Sequence, residues 1–251
     1  MTTTQTTRRT VLGGLAAAAA LALPAATGTA AAATGRPGPR IGILLYDGFS
    51  LLDPTGPAEL LSRLPGATVT MIGEHRGPVR TDTGRTAVFA DRAVSEVDRL
   101  DVLLVPGAGN RGTVAAMNNP VLLDWIRRID RHTTWTTSVC TGALVLGSAG
   151  LLRERATTYW AAAPYLEATF GVEYVPERYV RVGKVITAAG VSAGIDLALF
   201  LASELAGDEV ARAVQLAVEY DPQPPFDAGD AATASPQLKE LALRLLAESQ
   251  V

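Results

Sequence analysis

The sequence predicts one α/β domain, a mostly parallel sheet with helices packed on both faces. Three observations predict it. Short apolar runs such as 41–46 (IGILLY) and 101–106 (DVLLVP) lack polar alternation, the pattern of strands buried on both faces. Segments with helical spacing separate these runs, and strand alternating with helix calls for parallel crossovers. An apolar fraction of 48% against 19% charged residues supplies a packed core and excludes a disordered or collagen-like chain.

The elements follow in order. Residues 41–46 form the first buried strand. Asp53 then stands as N-cap of a helix at 54–64 (PTGPAELLSRL). Residues 67–72 (ATVTMI) alternate as a strand, and 77–91 read as short antiparallel pieces joined by Gly and Asp turns. The strand at 101–106 ends in a Gly-rich turn, 107–112. A helix at 120–131 places Val121, Leu122, Trp125, Ile126 and Ile129 on one side. Residues 135–139 (WTTSV) are a strand that stops at Cys140, and a helix resumes at 141–149. One more strand covers 184–188, followed by Ala/Leu-rich helices at 193–205 and 208–220. The prolines of DPQPP (221–225) break the second of these, 226–235 is a polar loop, and 237–249 is an amphipathic helix. In such folds ligands bind beyond the carboxyl ends of the strands. Here those ends are Tyr46-Asp47, Pro106-Gly107, Val139-Cys140 and 188–190.

The first stretch precedes the fold. Arg8 and Arg9 lead into an uncharged apolar run at 11–23, too short to span a bilayer with ease, and 30–32 offer an A-x-A cleavage pattern. Residues 1–32 are therefore read as an export signal, 33–39 as a linker and 40–251 as the domain. The paired arginines resemble a twin-arginine signal, a route for folded proteins that suits a chain with one thiol. The mature protein is expected outside the cytoplasm and free of the membrane. A formal charge of −3 without any basic cluster removes nucleic acid as an expected partner. One cysteine excludes an intramolecular disulfide, and His75 and His132 alone cannot complete a zinc tetrahedron. No metal is expected.

Cys140 lies between a strand and a helix. A side chain at that turn is displayed at the sheet edge, and the helix N-terminus is expected to favour the thiolate. Gly142 leaves room for close backbone approach, and Thr141 offers a hydroxyl and an N–H beside the sulfur. The alternative reading is a small buried cysteine.

The segment 138–147 (SVCTGALVLG) resembles the nucleophile elbow of the DJ-1/PfpI superfamily. Five further segments resemble its motifs in the same order: 52–57 (LDPTGP), 105–108 (VPGA), 155–160 (RATTYW), 189–196 (AGVSAGID) and 219–226 (EYDPQPPF). Within the superfamily they are similar to the isonitrile hydratases and to the amidotransferase-like domains of AraC-type regulators. Two positions depart: Tyr159 stands where those relatives have His, and Ala108 where they have a second Gly.

The resemblance implies a flavodoxin-like, class I glutamine amidotransferase-like fold and a small-molecule substrate. It implies hydration of an isocyanide to an N-substituted formamide, with Cys140 as nucleophile, Asp53 as general acid/base and Thr141 orienting water or sulfur. Gly107, Ala108, Val191, Tyr159 and Trp160 would line the substrate and oxyanion positions. This route needs no cofactor, and a homodimer is expected. Protease- or glyoxalase-like chemistry is poorly supported, because residue 141 is not His and neither His75 nor His132 falls at the Cys140 edge. A non-catalytic ligand binder or a redox-responsive thiol protein is the competing class. A regulator is not expected, because about 25 residues after Phe226 are too few for a DNA-binding domain.

Overall fold

The computed structural model describes residues 38–251. The expected signal at 1–32 and nearly all of the expected linker lie outside the described residues. The chain opens with β1 (Arg40–Leu45) and runs through α1 (Leu52–Leu61), β2 (Thr68–Gly73), β3 (Gly77–Arg80), β4 (Ala87–Ala90), β5 (Arg92–Ala93) and β6 (Val102–Val105). Then come α2 (Asn110–Met117), α3 (Pro120–Asp130), β7 (Trp135–Val139), α4 (Gly142–Ser148), β8 (Arg155–Ala156) and α5 (Ala163–Phe170). The remainder is β9 (Glu173–Tyr174), β10 (Tyr179–Val182), β11 (Val185–Ala188), α6 (Ala193–Ala206), α7 (Asp208–Ala217) and α8 (Pro236–Ser249).

Among the described residues, seven strands form one sheet in the order β10-β11-β7-β6-β1-β2-β5. Only β10 and β11 pair antiparallel within it; the other neighbours are parallel. One face carries Ile41, Ile43, Leu104 and Val139, packed with Leu61, Leu197 and Leu201 of α1 and α6. The other carries Leu44, Leu103 and Val105, packed with Trp125, Ile126, Ile129 and Val145 of α3 and α4. Covering both faces is what allows the uninterrupted apolar strands. The register sets Ile43 beside Leu104, Val105 beside Ser138, and Val139 beside Ala188. The carboxyl ends of β1, β6, β7 and β11 are therefore level. From β1 the chain steps first to β2 on one side and then to β6 on the other, so the crevice lies at this switch point.

Several expectations are corrected. Residues 107–112 are not only a turn, since α2 begins at Asn110 directly after Gly109. Its buried residues are Gly112, Thr113 and Ala116, small side chains that leave no apolar periodicity to read. The short α5 and the edge strand β10 were not expected either; β10 exists through its pairing with β11. The helix expected at 208–220 ends at Ala217, and Glu219 takes a left-handed φ of 49°. Val121 is half exposed, one step outside the stripe of Leu122, Trp125, Ile126 and Ile129 that meets the sheet. Asp53 is not an N-cap. It is the second residue of α1, whose N-cap position falls on Leu51 with no side-chain hydrogen bond.

Candidate active site

Cys140 sits at the tip of β7 with a φ of 58°, a left-handed conformation that a non-glycine residue holds only when its surroundings enforce it. The enforcement is visible. Its N–H donates to Ala188 O at 3.1 Å and Ala189 O at 2.7 Å, tying it to the end of β11. Its carbonyl accepts the Thr158 hydroxyl at 2.9 Å. The start of α4 fits against β6 because residue 142 is Gly; a Cβ there would lie 2.2 Å from Val105 O. The side chain is nearly closed off, at 5% exposure.

Asp53 points down from α1 to the same edge. It is fully buried, and its Oδ2 accepts the Gly107 N–H at 2.7 Å. Its Oδ1 is buried with no partner among the described residues. A Cβ at Gly107 would lie 2.7 Å from the Cys140 Cβ, 2.7 Å from the Thr141 N and 2.9 Å from Asp53 Oδ2. Cys140 and Asp53 thus border one small space that only a glycine leaves open. Gly107→Ala is expected to cost about 1–3 kcal/mol by overpacking and to displace the pair. Thermal melting and the alkylation rate of Cys140 check this, and parent values for both would refute it.

The electrostatics follow from the burial. Desolvation pushes the Asp53 carboxyl up to about 8; the Gly107 N–H opposes this, and the Asp82 carboxylate adds to it. Burial, and then the Asp53 charge, push the Cys140 thiol well above its ordinary value, while the Thr141 N–H and hydroxyl pull it down. The expectation of a thiol lowered by the helix end is therefore corrected, because desolvation outweighs it. Tyr46 is buried at the same place, donating its hydroxyl to Pro106 O at 2.6 Å, and its phenol is raised by burial and then by Asp53 and Cys140.

The other expected residues divide. Thr141 and Ala108 are at the site, but they bind one another: the Ala108 N–H donates to Thr141 Oγ1 at 3.0 Å, and that oxygen also meets Thr113 Oγ1 at 2.9 Å. The Gly107 N–H is engaged by Asp53, so neither amide is open to an oxyanion. Val191 N–H has no partner among the described residues. Tyr159 is half-buried close enough to Cys140 for the thiolate to raise its phenol, after the larger effect of burial. Trp160 packs on Tyr159, with ring centroids 5.4 Å apart, and does not line the adjoining cleft. His75 and His132 are exposed, and neither lines that cleft.

That cleft, of about 400 Å³, is bordered by Ala108, Thr141 and Tyr159 on the site side and by residues of α8 on the other. Tyr46 was read in the sequence only as a strand end, and Asp82, Thr113, Thr158 and the α8 residues were not singled out there. Tyr46 at a strand end was legible; the rest come together only through tertiary packing. The 189–196 segment, which runs into the first turn of α6, is also clamped. Arg178 bonds Asp196 at 2.6 Å and the Ser192 hydroxyl at 3.2 Å, and Tyr220 donates to Asp196 at 2.8 Å. Two of the recurring segments, 189–196 and 219–226, therefore meet behind the cysteine's backbone anchor.

The sequence pattern of the DJ-1/PfpI family matches residues 39–204. Isonitrile hydratase of Pseudomonas putida is 44% identical over 200 residues, covering 78% of this chain and 84% of that one. The HTH-type transcriptional regulator CdhR of Pseudomonas aeruginosa is 33% identical over 184 residues, covering 70% of this chain and 53% of the regulator. Among solved structures, a THiJ/PfpI family protein from Pseudomonas syringae superposes with a TM-score of 0.78 at 35% identity, over 84% of this chain and 87% of that one.

Proposed function

The chain belongs to the DJ-1/PfpI family, and we propose that it adds water to an isocyanide to give an N-substituted formamide. The isonitrile hydratase of Pseudomonas putida supports the reaction class. One observation carries the mechanism: beside Cys140, Asp53 has one oxygen fixed by the Gly107 N–H and the other unpaired. Such a carboxyl can accept a proton and return it without moving.

With both groups raised, the pair holds two protons at low pH. Loss of one gives the active form. The Asp53 carboxylate takes the thiol proton as sulfur attacks the divalent isocyanide carbon, forming the S–C bond. That proton passes to the same carbon, leaving a thioimidate, R–N=CH–S–Cys140. Water then adds across C=N, its hydroxyl to carbon and its other proton to nitrogen by way of Asp53. The C–S bond breaks as the carbonyl forms, the hydroxyl proton returns through Asp53 to sulfur, and R–NH–CHO leaves. The Thr141 N–H stabilises the departing sulfur, and the Val191 N–H is the candidate donor to the developing oxygen charge. The direct test incubates the 33–251 chain with alkyl and aryl isocyanides and looks for formamides by NMR. Formamide at no more than the uncatalysed rate refutes the proposal.

Export through the paired arginines belongs to the same reading. Replacing Arg8 and Arg9 by Lys is expected to retain the precursor in the cytoplasm, as fractionation would show; unimpaired export would mean that another signal is read.

A further inference from the structure

The face of α8 that borders the cleft is made by Leu243, Leu246 and Ala247, and Gln250 borders it just beyond the helix end. Spacings of three and four residues from Leu243 put the three helix residues on one side of α8. None of the residues of α8 is buried, and Leu243 and Leu246 keep 42% and 41% of their surface exposed. Core packing therefore does not explain this side. The helix is held at its far end. Gln250 Oε1 accepts the Asn110 N–H at 3.3 Å, and the Val251 N–H donates to Asp82 O at 3.0 Å. One anchor is the first residue of α2, three positions after Gly107, and the other is Asp82, whose carboxylate is felt by both Asp53 and Cys140. Across the cleft stand Ala108, Thr141 and Tyr159, and no charged side chain lines it among the described residues.

From this geometry we propose that α8 is the roof of the substrate pocket, and that Leu243 and Leu246 select an uncharged, bulky apolar substituent. The reactive carbon points to Cys140, and the substituent lies between Tyr159 and the two leucines. The inference rests on Cys140 being the reacting group, as in the function proposed above. It adds that two leucines of the last helix set the choice between large and small substituents.

The experiment measures a selectivity ratio in two independent ways. Cys140, the sole cysteine, is alkylated with N-phenylmaleimide and with iodoacetamide, and turnover is followed for phenyl and methyl isocyanide. Leu246→Trp fills the cleft and should lower the bulky-to-small ratio about tenfold; Leu246→Ala widens it and should raise the ratio. Leu241→Ala, which does not border the cleft, should leave the ratio as in the parent. A ratio unmoved by both Leu246 variants, moved in one direction by both, or moved equally by Leu241→Ala overturns the proposal. Alkylation ratios that shift as expected while no isocyanide is hydrated would uphold the roof and refute the reaction instead. Because α8 contributes nothing to the buried core, these variants test the pocket rather than the fold.

Discussion

Cys140→Ala is expected to remove isocyanide hydration, with a fall on the order of 10⁴-fold or more, and to leave the fold intact. The loss is large because the S–C bond is the first covalent step and no other thiol exists in the chain. The fold survives because the position is fixed by backbone bonds to Ala188, Ala189 and Thr158, none of which uses the side chain. Removing one sulfur from a site at 5% exposure leaves a cavity smaller than a Leu→Ala change would. Alanine at a φ of 58° carries the same steric strain as cysteine, so no new backbone cost arises. Cys140→Ser should be nearly as inactive, since a hydroxyl is a much poorer nucleophile in the same buried setting. Turnover within tenfold of the parent in Cys140→Ala would exclude a covalent route through this residue. Circular dichroism and thermal melting report whether the fold is unchanged.

Asp53→Asn is expected to lower the rate by roughly 10²–10⁴-fold. The amide keeps an acceptor for the Gly107 N–H but cannot relay a proton. Two pH profiles separate this from a structural effect. In the parent, activity should climb as the pH rises toward about 8, where the pair sheds its first proton. In the variant that limb should move upward, leaving only the thiol. Stability should diverge as well. A carboxyl raised by folding contributes stability that is full below its ordinary value near 4 and is lost as the pH rises through about 8. Relative to the parent, Asp53→Asn should therefore gain melting temperature between about pH 4 and 8, with no further gain above. Parallel melting curves across that window would mean that Asp53 is an ordinary carboxylate. Unchanged activity would reduce it to packing.

The strands at the heart of the fold were legible because burial on both faces forces a continuous apolar run. IGILLY and WTTSV each correspond to a central strand. Strand-then-helix alternation gave the parallel sheet, and the position of Cys140 between β7 and α4 gave its display at the sheet edge. What escaped were elements without that signature. In α2 small residues replace an apolar stripe, α5 is eight residues long, and β10 depends on a partner strand.

The candidate site divides the same way. By itself the sequence determined the sheet, the strand-end position of Cys140 and the presence of Asp53 after the first strand, because each is local in the chain. Only the tertiary structure decided what Asp53 does with its carboxylate. The level ends of β1 and β6 bring Gly107 to it across 54 positions, so it binds that N–H instead of capping its own helix. Burial decided the thiol's acidity as well, since desolvation is set by everything packed around a group and not by its neighbours in sequence. The same holds for the roof: the Asn110 N–H meets Gln250 across 140 positions, a contact that no local pattern encodes.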